Sequence, residues 1–202
     1  MAGMDTSSSN AASGGAQPCF GGNSPLYLAY HDSEWGKPVH GDTALFERLS
    51  LEAFSSGLSW FIVLRKRDHF REVFAGFEPD LVGAFGEADV DRLMGDAGIV
   101  RNRPKIMATI ANARALTSFQ AGGGSLDQLV WDHQPAHHRT PRTFADLASK
   151  TPESIALSKA LKKIGFTWVG PTTCYATMQA CGVVNDHLAG CPQADGSALG
   201  GV

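Results

Sequence analysis

Residues 158–191 read SKALKKIGFTWVGPTTCYATMQACGVVNDHLAGC, and how this stretch is parsed decides the fold. Leu157, Ala160, Leu161 and Ile164 recur at helical spacing, while Lys159, Lys162 and Lys163 fall away from that stripe. Gly165 then ends the helix, where a positive φ is wanted. Five residues on, Gly170-Pro171 closes a turn, with Pro171 preset for the first position of a second helix over 172–182. Cys174, Met178 and Cys181 share one side of that helix. A short turn between two glycines, flanked by helices, aims backbone N–H groups at a phosphate without any side chain. That is the chemistry of a helix-hairpin-helix DNA-binding element, with Gly165, Gly170 and Pro171 at the contact. An ordinary αα-hairpin carries the same pattern, so the turn alone does not choose between them.

The second half of the stretch supplies a metal-ligand pair. His187 and Cys191, four residues apart, are expected on adjacent turns of a helical segment and can bite one ion. Thiolate plus imidazole points to zinc. A structural site needs two more ligands, and Cys19 and His31 are the candidates from the other end of the chain. Together they make a Cys2His2 tetrahedron joining the two ends. Closing so long a loop removes denatured-state entropy and stabilises the fold. Spacing also allows Cys19 to be a loose terminal thiol and His31 an ordinary capped histidine. His40, His69, His133, His137 and His138 read as surface residues, and Cys174 and Cys181 as small core residues.

Composition narrows the partners. A net charge of −3 excludes a nonspecific polycation, so a DNA-binding reading requires basic residues gathered on one face. They come in clusters: Arg65-Lys66-Arg67; Arg101, Arg103 and Lys105; Arg139 and Arg142; Lys159, Lys162 and Lys163. Four cysteines in a chain this long make no disulfide framework. No apolar run is long enough to span a membrane and no signal-peptide order opens the chain, so a cytoplasmic protein is expected.

Residues 1–18 are Ser, Gly and Ala with almost nothing to bury, and disorder is expected there and in the tail 192–202. Between them, 19–191 reads as one compact unit. Ser24-Pro25 opens a short helix with Tyr27, Tyr30 and His31 on one side. Asp42 is expected to cap the next helix, in which Glu52 shares a buried stripe with Leu45 and Leu49. A carboxylate there is either paired or intended for a ligand, unless the helix end leaves it exposed. Trp60, Val63, Leu64, Phe70 and Phe74 then face inward along one longer helix. Asp89 is expected to start another, Pro104 lies near the start of a long one, and Ser125 and Thr151-Pro152 open two more. Almost every periodic segment is helical and no stretch alternates, so the fold is all-α.

Taken together, SPLYLAYHDSEWGKP, LEAFSSGLSWFIVLRKR, DAGIVRNRPKI, SKALKKIGFTWVGPTTCYATMQACGVVNDH and the closing HxxxC pair resemble the bacterial 3-methyladenine DNA glycosylase I family. The resemblance covers 19–191 and implies the helix-hairpin-helix glycosylase superfamily, with two helical lobes. It implies a base-excision repair enzyme, monomeric, acting on alkylated double-stranded DNA. Such an enzyme hydrolyses the N-glycosidic bond of 3-methyladenine and leaves an abasic site without strand cleavage. It implies one structural Zn2+ held by Cys19, His31, His187 and Cys191 as a snap across the chain ends. It also implies a base pocket of Tyr30, Glu52 and Trp60. Tryptophan offers a π face to a cationic methylated ring, and a buried carboxylate accepts from the exocyclic amine. Glu52 is the catalytic candidate, acting electrostatically. Many superfamily members carry an Asp beyond the hairpin, and Asp186 is its nearest match. Two departures stand out: 19–25 is one residue shorter than usual, and Phe20 replaces the family's tryptophan. The alternative is a noncatalytic helix-hairpin-helix module with structural zinc. A zinc hydrolase or deaminase is disfavoured: it needs an open metal site with a general acid/base beside it, and the deaminase pattern HxE with PCxxC does not appear, since His31 is followed by Asp32-Ser33-Glu34.

Overall fold

The computed structural model describes Cys19 and residues 24–194; the segments 1–18 and 20–23, with Phe20, and the end of the tail from 195 lie outside the described residues. The described residues form ten α-helices and no strand. In chain order these are α1 (Pro25–Ser33), α2 (Asp42–Ser55), α3 (Trp60–Leu64), α4 (Arg67–Val73), α5 (Pro79–Gly83), α6 (Glu87–Gly95), α7 (Arg103–Ala121), α8 (Leu126–Trp131), α9 (Pro152–Lys163) and α10 (Pro171–Ala180). The all-α expectation is met. None of these helices is long and apolar enough to cross a membrane.

Helix α2 is the central strut, packed on α7 and α8 on one side and on α10 on the other. Its buried Phe46 and Phe54 belong to a chain of aromatic contacts through Phe70, Phe74 and Phe77 that reaches Phe166 in the hairpin. This apolar mass is the larger of two core clusters. A smaller cluster gathers Cys19, Tyr30, Trp35, Leu64, Ala180 and Cys191, and it lies where the two ends of the chain meet. Burial of such side chains, at about 25 cal/mol per Å² of apolar surface, is what holds ten short helices together.

Three local expectations change. Asp42 does not cap α2; Gly41 holds that position. The Asp42 carboxylate instead accepts from Gln120 Nε2, Ser125 Oγ and the Asp127 N–H, and so fixes the start of α8. Likewise Gly86, not Asp89, begins α6; the Asp89 carboxylate accepts from the Gly86 N–H. The helix expected through 60–74 breaks at Arg65 and Lys66. That break turns Arg67 toward Glu34 while Phe70 and Phe74 stay in the core. Lys105, read as part of a basic surface cluster, is buried: its ammonium donates to the Phe54 and Ser56 carbonyls at 2.9 and 2.6 Å. It therefore caps the C-terminus of α2, where a cation meets the negative end of the helix dipole.

Candidate active site and metal clasp

The ligand atoms of Cys19, His31, His187 and Cys191 lie within 4.8 Å of one another, and all four residues are buried. His187 Nδ1 is 3.1 Å from His31 Nε2 and 3.5 Å from each sulfur, and Cys191 Sγ is 3.6 Å from His31 Nε2. A tetrahedral ion bound at about 2.0–2.3 Å spaces its donors roughly 3.3–3.7 Å apart, close to these separations. The proton positions point the same way. His187 Nε2–H donates to the Trp35 carbonyl at 3.0 Å, and His31 Nδ1–H donates to Asp32 Oδ1 at 2.7 Å. Both imidazoles therefore turn bare nitrogens toward the same point, an arrangement that repels unless a cation lies between them. The donor set fits a metal.

His187 and Cys191 do not sit on a helix. Residues 184–191 run as irregular chain with a turn, closed by Cys191 N–H to the Leu188 carbonyl at 2.8 Å. Asn185 Oδ1 accepts the His187 N–H, so that amide needs no helical partner. The Leu188 and Gln193 N–H groups point at Cys19 Sγ and Cys191 Sγ, which favours thiolate at both. Burial pushes the Cys19 thiol up to about 11 and holds His187 below its ordinary value. A bound cation reverses the first effect and uses the neutral imidazole that the second provides. Gly36, with φ +77°, crosses directly beneath this centre; a Cβ there would meet the His187 ring at 3.0 Å. The tail expected from 192 begins as a turn, with the Gln193 and Ala194 carbonyls accepting from Asn185 Nδ2.

Beside the clasp lies a cavity of about 240 Å³, lined by Tyr27, Tyr30, Trp35, Glu52, Trp60 and Gln179, with Cys19, Leu147 and Ala176 completing it. The clasp and the cavity share a wall. Trp35 meets the His187 ring edge-on at 4.6 Å and faces the cavity as well. Tyr30 and Trp60 stand 5.5 Å apart between centroids, tilted by 44°. All three pocket residues read from the sequence are thus brought together.

The Glu52 carboxyl accepts no hydrogen bond among the described residues, and burial pushes it up to about 7, against the pull of Arg48 one turn earlier. Tyr27 and Tyr30 from α1 and Cys181 beyond α10 face it, and burial raises all three so that they stay protonated at neutral pH. Arg48 and Arg67 lie beneath, both on Glu34: Arg67 forks its carboxylate at 2.6 and 2.8 Å and Arg48 adds a bond at 3.0 Å. Arg67 also lies 5.9 Å from the Tyr30 ring centroid, so it braces the pocket floor.

Asp186 is 3 % exposed and fully engaged. It accepts from Tyr175 Oη at 2.7 Å and Gln179 Nε2 at 2.6 Å, and His138 Nε2 lies 2.8 Å from its other oxygen. His138, expected at the surface, is therefore tied to a buried acid. Sequence reasoning named Tyr27 without giving it a role and missed Trp35 and Gln179 as lining residues. Tyr27 was within reach, three residues before Tyr30 on the same helical side. Gln179 carried no local signal.

The hairpin is held by its neighbours. Gly165, at φ +101°, closes α9 with paired bonds, Gly165 N–H to Lys162 and Phe166 N–H to Leu161, the motif that needs a left-handed residue. Asn112 of α7 grips Thr167 twice, accepting its N–H at 2.7 Å and donating to its carbonyl at 3.0 Å. Ser158 Oγ donates to the Val169 carbonyl at 2.6 Å. The N–H groups of Trp168, Val169 and Gly170 donate to nothing among the described residues. Trp168 is exposed with φ +57°, a strained conformation for an aromatic residue, and its ring lies over the Lys105 ammonium at 5.5 Å.

Fold and site define a helix-hairpin-helix protein whose clasped ends wall a cavity suited to one flat ring. A family model described as methyladenine glycosylase matches residues 20–194. The chain is 49% identical over 170 residues to DNA-3-methyladenine glycosylase 1 of Escherichia coli (strain K12), covering 83% of this chain and 90% of that one. A crystal structure of 3-methyladenine DNA glycosylase I superposes with a TM-score of 0.82 at 45% identity, over 85% of this chain and 96% of the other. The structure that describes 3-methyladenine recognition by the Staphylococcus aureus enzyme superposes with a TM-score of 0.83 at 34% identity, over 89% and 98%. The chain belongs to the methyladenine glycosylase family.

Proposed function

We infer that the chain excises 3-methyladenine from alkylated double-stranded DNA, hydrolysing the N-glycosidic bond and leaving an abasic site. The observation that carries this reading is the unpaired acid at the wall of an aromatic cavity. A carboxyl that is half-buried in an aromatic cavity without a hydrogen-bond partner costs stability, and such a group marks a site built for a ligand. Relatives at 41–49% identity over most of the chain bear the name of this activity.

In this reading the hairpin meets the DNA backbone through the N–H groups of Trp168, Val169 and Gly170, with Pro171 opening α10 behind them. The damaged nucleotide leaves the stack, since a base inside a duplex cannot enter an enclosed pocket. Tyr30 and Trp60 enclose the ring, and a positive charge on it is favoured by their π faces. Glu52 accepts from the exocyclic amine. Facing a cationic ring, its carboxyl is held ionised, any proton it carries passing to solvent. The C1′–N9 bond then breaks with its electron pair leaving on the base, whose charge is thereby neutralised. A water oxygen bonds to C1′ and its proton goes to solvent. Among the described residues no lysine lines the cavity, in keeping with a hydrolase that does not form a Schiff base or cut the strand.

The clasp is assigned to one Zn2+ held by Cys19, His31, His187 and Cys191, since two thiolates and two imidazoles in a closed set suit that ion. When bound it supplies a cross-link, not an open coordination position. The chain's own part is to carry the ring of Trp35 against it, so that the cavity wall is built on the clasp.

The test is release of free base from methylated duplex, with strand integrity read on a gel. Base release with an intact strand supports the enzyme. DNA binding without base release would leave only a noncatalytic helix-hairpin-helix module.

A further inference from the structure

Gln179 lines the same cavity as Glu52, and its amide cannot turn over. Nε2 donates to Asp186 Oδ2 at 2.6 Å, on a carboxylate that is itself held by Tyr175 Oη and His138 Nε2. Reversing the amide would place Gln179 Oε1 against that carboxylate, acceptor to acceptor, at the same short distance. Oε1 has no hydrogen-bond partner among the described residues and is not sealed from the cavity space. The backbone is fixed too, since the Gln179 carbonyl accepts from the Gly36 N–H at 3.1 Å. A glutamine in an ordinary site matches an amine or a carbonyl by flipping; this one cannot flip, so its acceptor oxygen keeps one place.

We propose that Gln179 is a specificity-determining residue of the base cavity, whose fixed amide oxygen selects purines with a 6-amino group over those with a 6-oxo group. The inference rests on the excision reading and deepens it. An exocyclic amine has two hydrogens, and the cavity presents two acceptors for them, Glu52 and Gln179 Oε1. A 6-oxo purine puts a third acceptor among these two. Glu52 relieves its part by keeping its proton and donating. Gln179 has no such option while Asp186 holds Nε2. Its oxygen is then left facing another oxygen, the situation in which polar sites discriminate most strongly. Asp186 acts through Gln179 and is a positioning residue.

The experiment uses the full-length metal-loaded enzyme and DNA methylated to contain both 3-methyladenine and 3-methylguanine, with each released base quantified. Gln179→Met keeps the side-chain length and removes the acceptor. The expected result is a fall of about tenfold in kcat/KM for 3-methyladenine, the scale of one hydrogen bond. Release of 3-methylguanine holds or rises, so the ratio between the two narrows by at least that factor. An unchanged ratio in a Gln179→Met enzyme with wild-type metal content and melting temperature overturns the proposal. Gln179→Ala carries the same reading should the methionine variant fail to fold. If the wild-type enzyme released neither base, the excision reading itself would fall, an outcome visible before any variant is compared.

Discussion

Two acids bear on the same cavity, Glu52 from its wall and Asp186 from behind Gln179, and they differ in their surroundings. Asp186 is well partnered: Tyr175 and Gln179 donate to one oxygen, and His138 Nε2 lies 2.8 Å from the other. The Glu52 carboxyl accepts no hydrogen bond among the described residues, and burial pushes it up to about 7. A satisfied buried carboxylate stabilises the fold and organises its neighbours. An unsatisfied one costs stability and is kept for a ligand. Position in the chain suggests the opposite assignment, because Asp186 follows the hairpin as the superfamily's catalytic acid does. Its surroundings make it a brace for Gln179 instead.

The largest effect should come from Glu52→Gln. Loss of the charge facing a cationic base is expected to lower kcat for 3-methyladenine release about a hundred- to a thousandfold, as for other preorganised electrostatic groups. The same variant sharpens the contrast through pH. The ordinary value is 4.5 and the folded value about 7, so the native state holds its proton more tightly than the unfolded chain. Glu52 thus costs nothing at pH 4, destabilises the fold as pH rises between those values, and costs most above 7, up to about 3 kcal/mol. Glu52→Gln should melt higher than wild type at pH 8 and no higher at pH 4. In the wild type, kcat/KM should rise with pH through about 7 and lose that limb in the variant. A Glu52→Gln enzyme with full activity would remove the acid from the site.

Next in size is the clasp, which holds the loop that carries Asp186. Cys191→Ser should release the metal and lower stability by several kcal/mol, read by metal analysis and thermal melting. Cys19→Ser should do the same, and unchanged metal content there would strike Cys19 from the ligand set. Asp186→Asn is expected to cost about 2–3 kcal/mol in stability, because it breaks a fully bonded buried network. Its rate of release of 3-methyladenine should fall far less than that of Glu52→Gln; an equal fall would erase the distinction between the two acids. The smallest change is Asn112→Ala, which strands the Thr167 N–H and carbonyl. It should cost about 1–2 kcal/mol and weaken DNA binding by loosening the hairpin, with base release from saturating DNA little altered.

Much of this was legible in the sequence, for reasons that are local. Proline at the start of α1, α9 and α10, glycine at 165 and the apolar stripe of Leu157 and Leu161 each report backbone preferences within a turn or two. Glu52 stood out because a carboxylate in an apolar stripe breaks a periodicity. Arg67 and Lys105 misled for the complementary reason. As letters in basic clusters they read as surface charge, yet each found partners in a distant segment, Glu34 for one and the end of α2 for the other. His187 and Cys191 have helical spacing but meet through a turn, because Asn185 and a neighbouring sulfur satisfy the amides that a helix would have paired.

By itself the sequence determined most of the helices and the glycine hairpin, because these follow from residue type and short-range spacing; it offered the four metal-ligand candidates, and the pocket triad came with the resemblance to a family. Only the tertiary structure decided which acid is free and which is bound. It also placed Trp35 and Gln179 on the cavity, joined the clasp to the pocket wall and locked one amide in a single orientation. Those facts depend on which donors reach which acceptors across the fold, and no spacing along a chain encodes that.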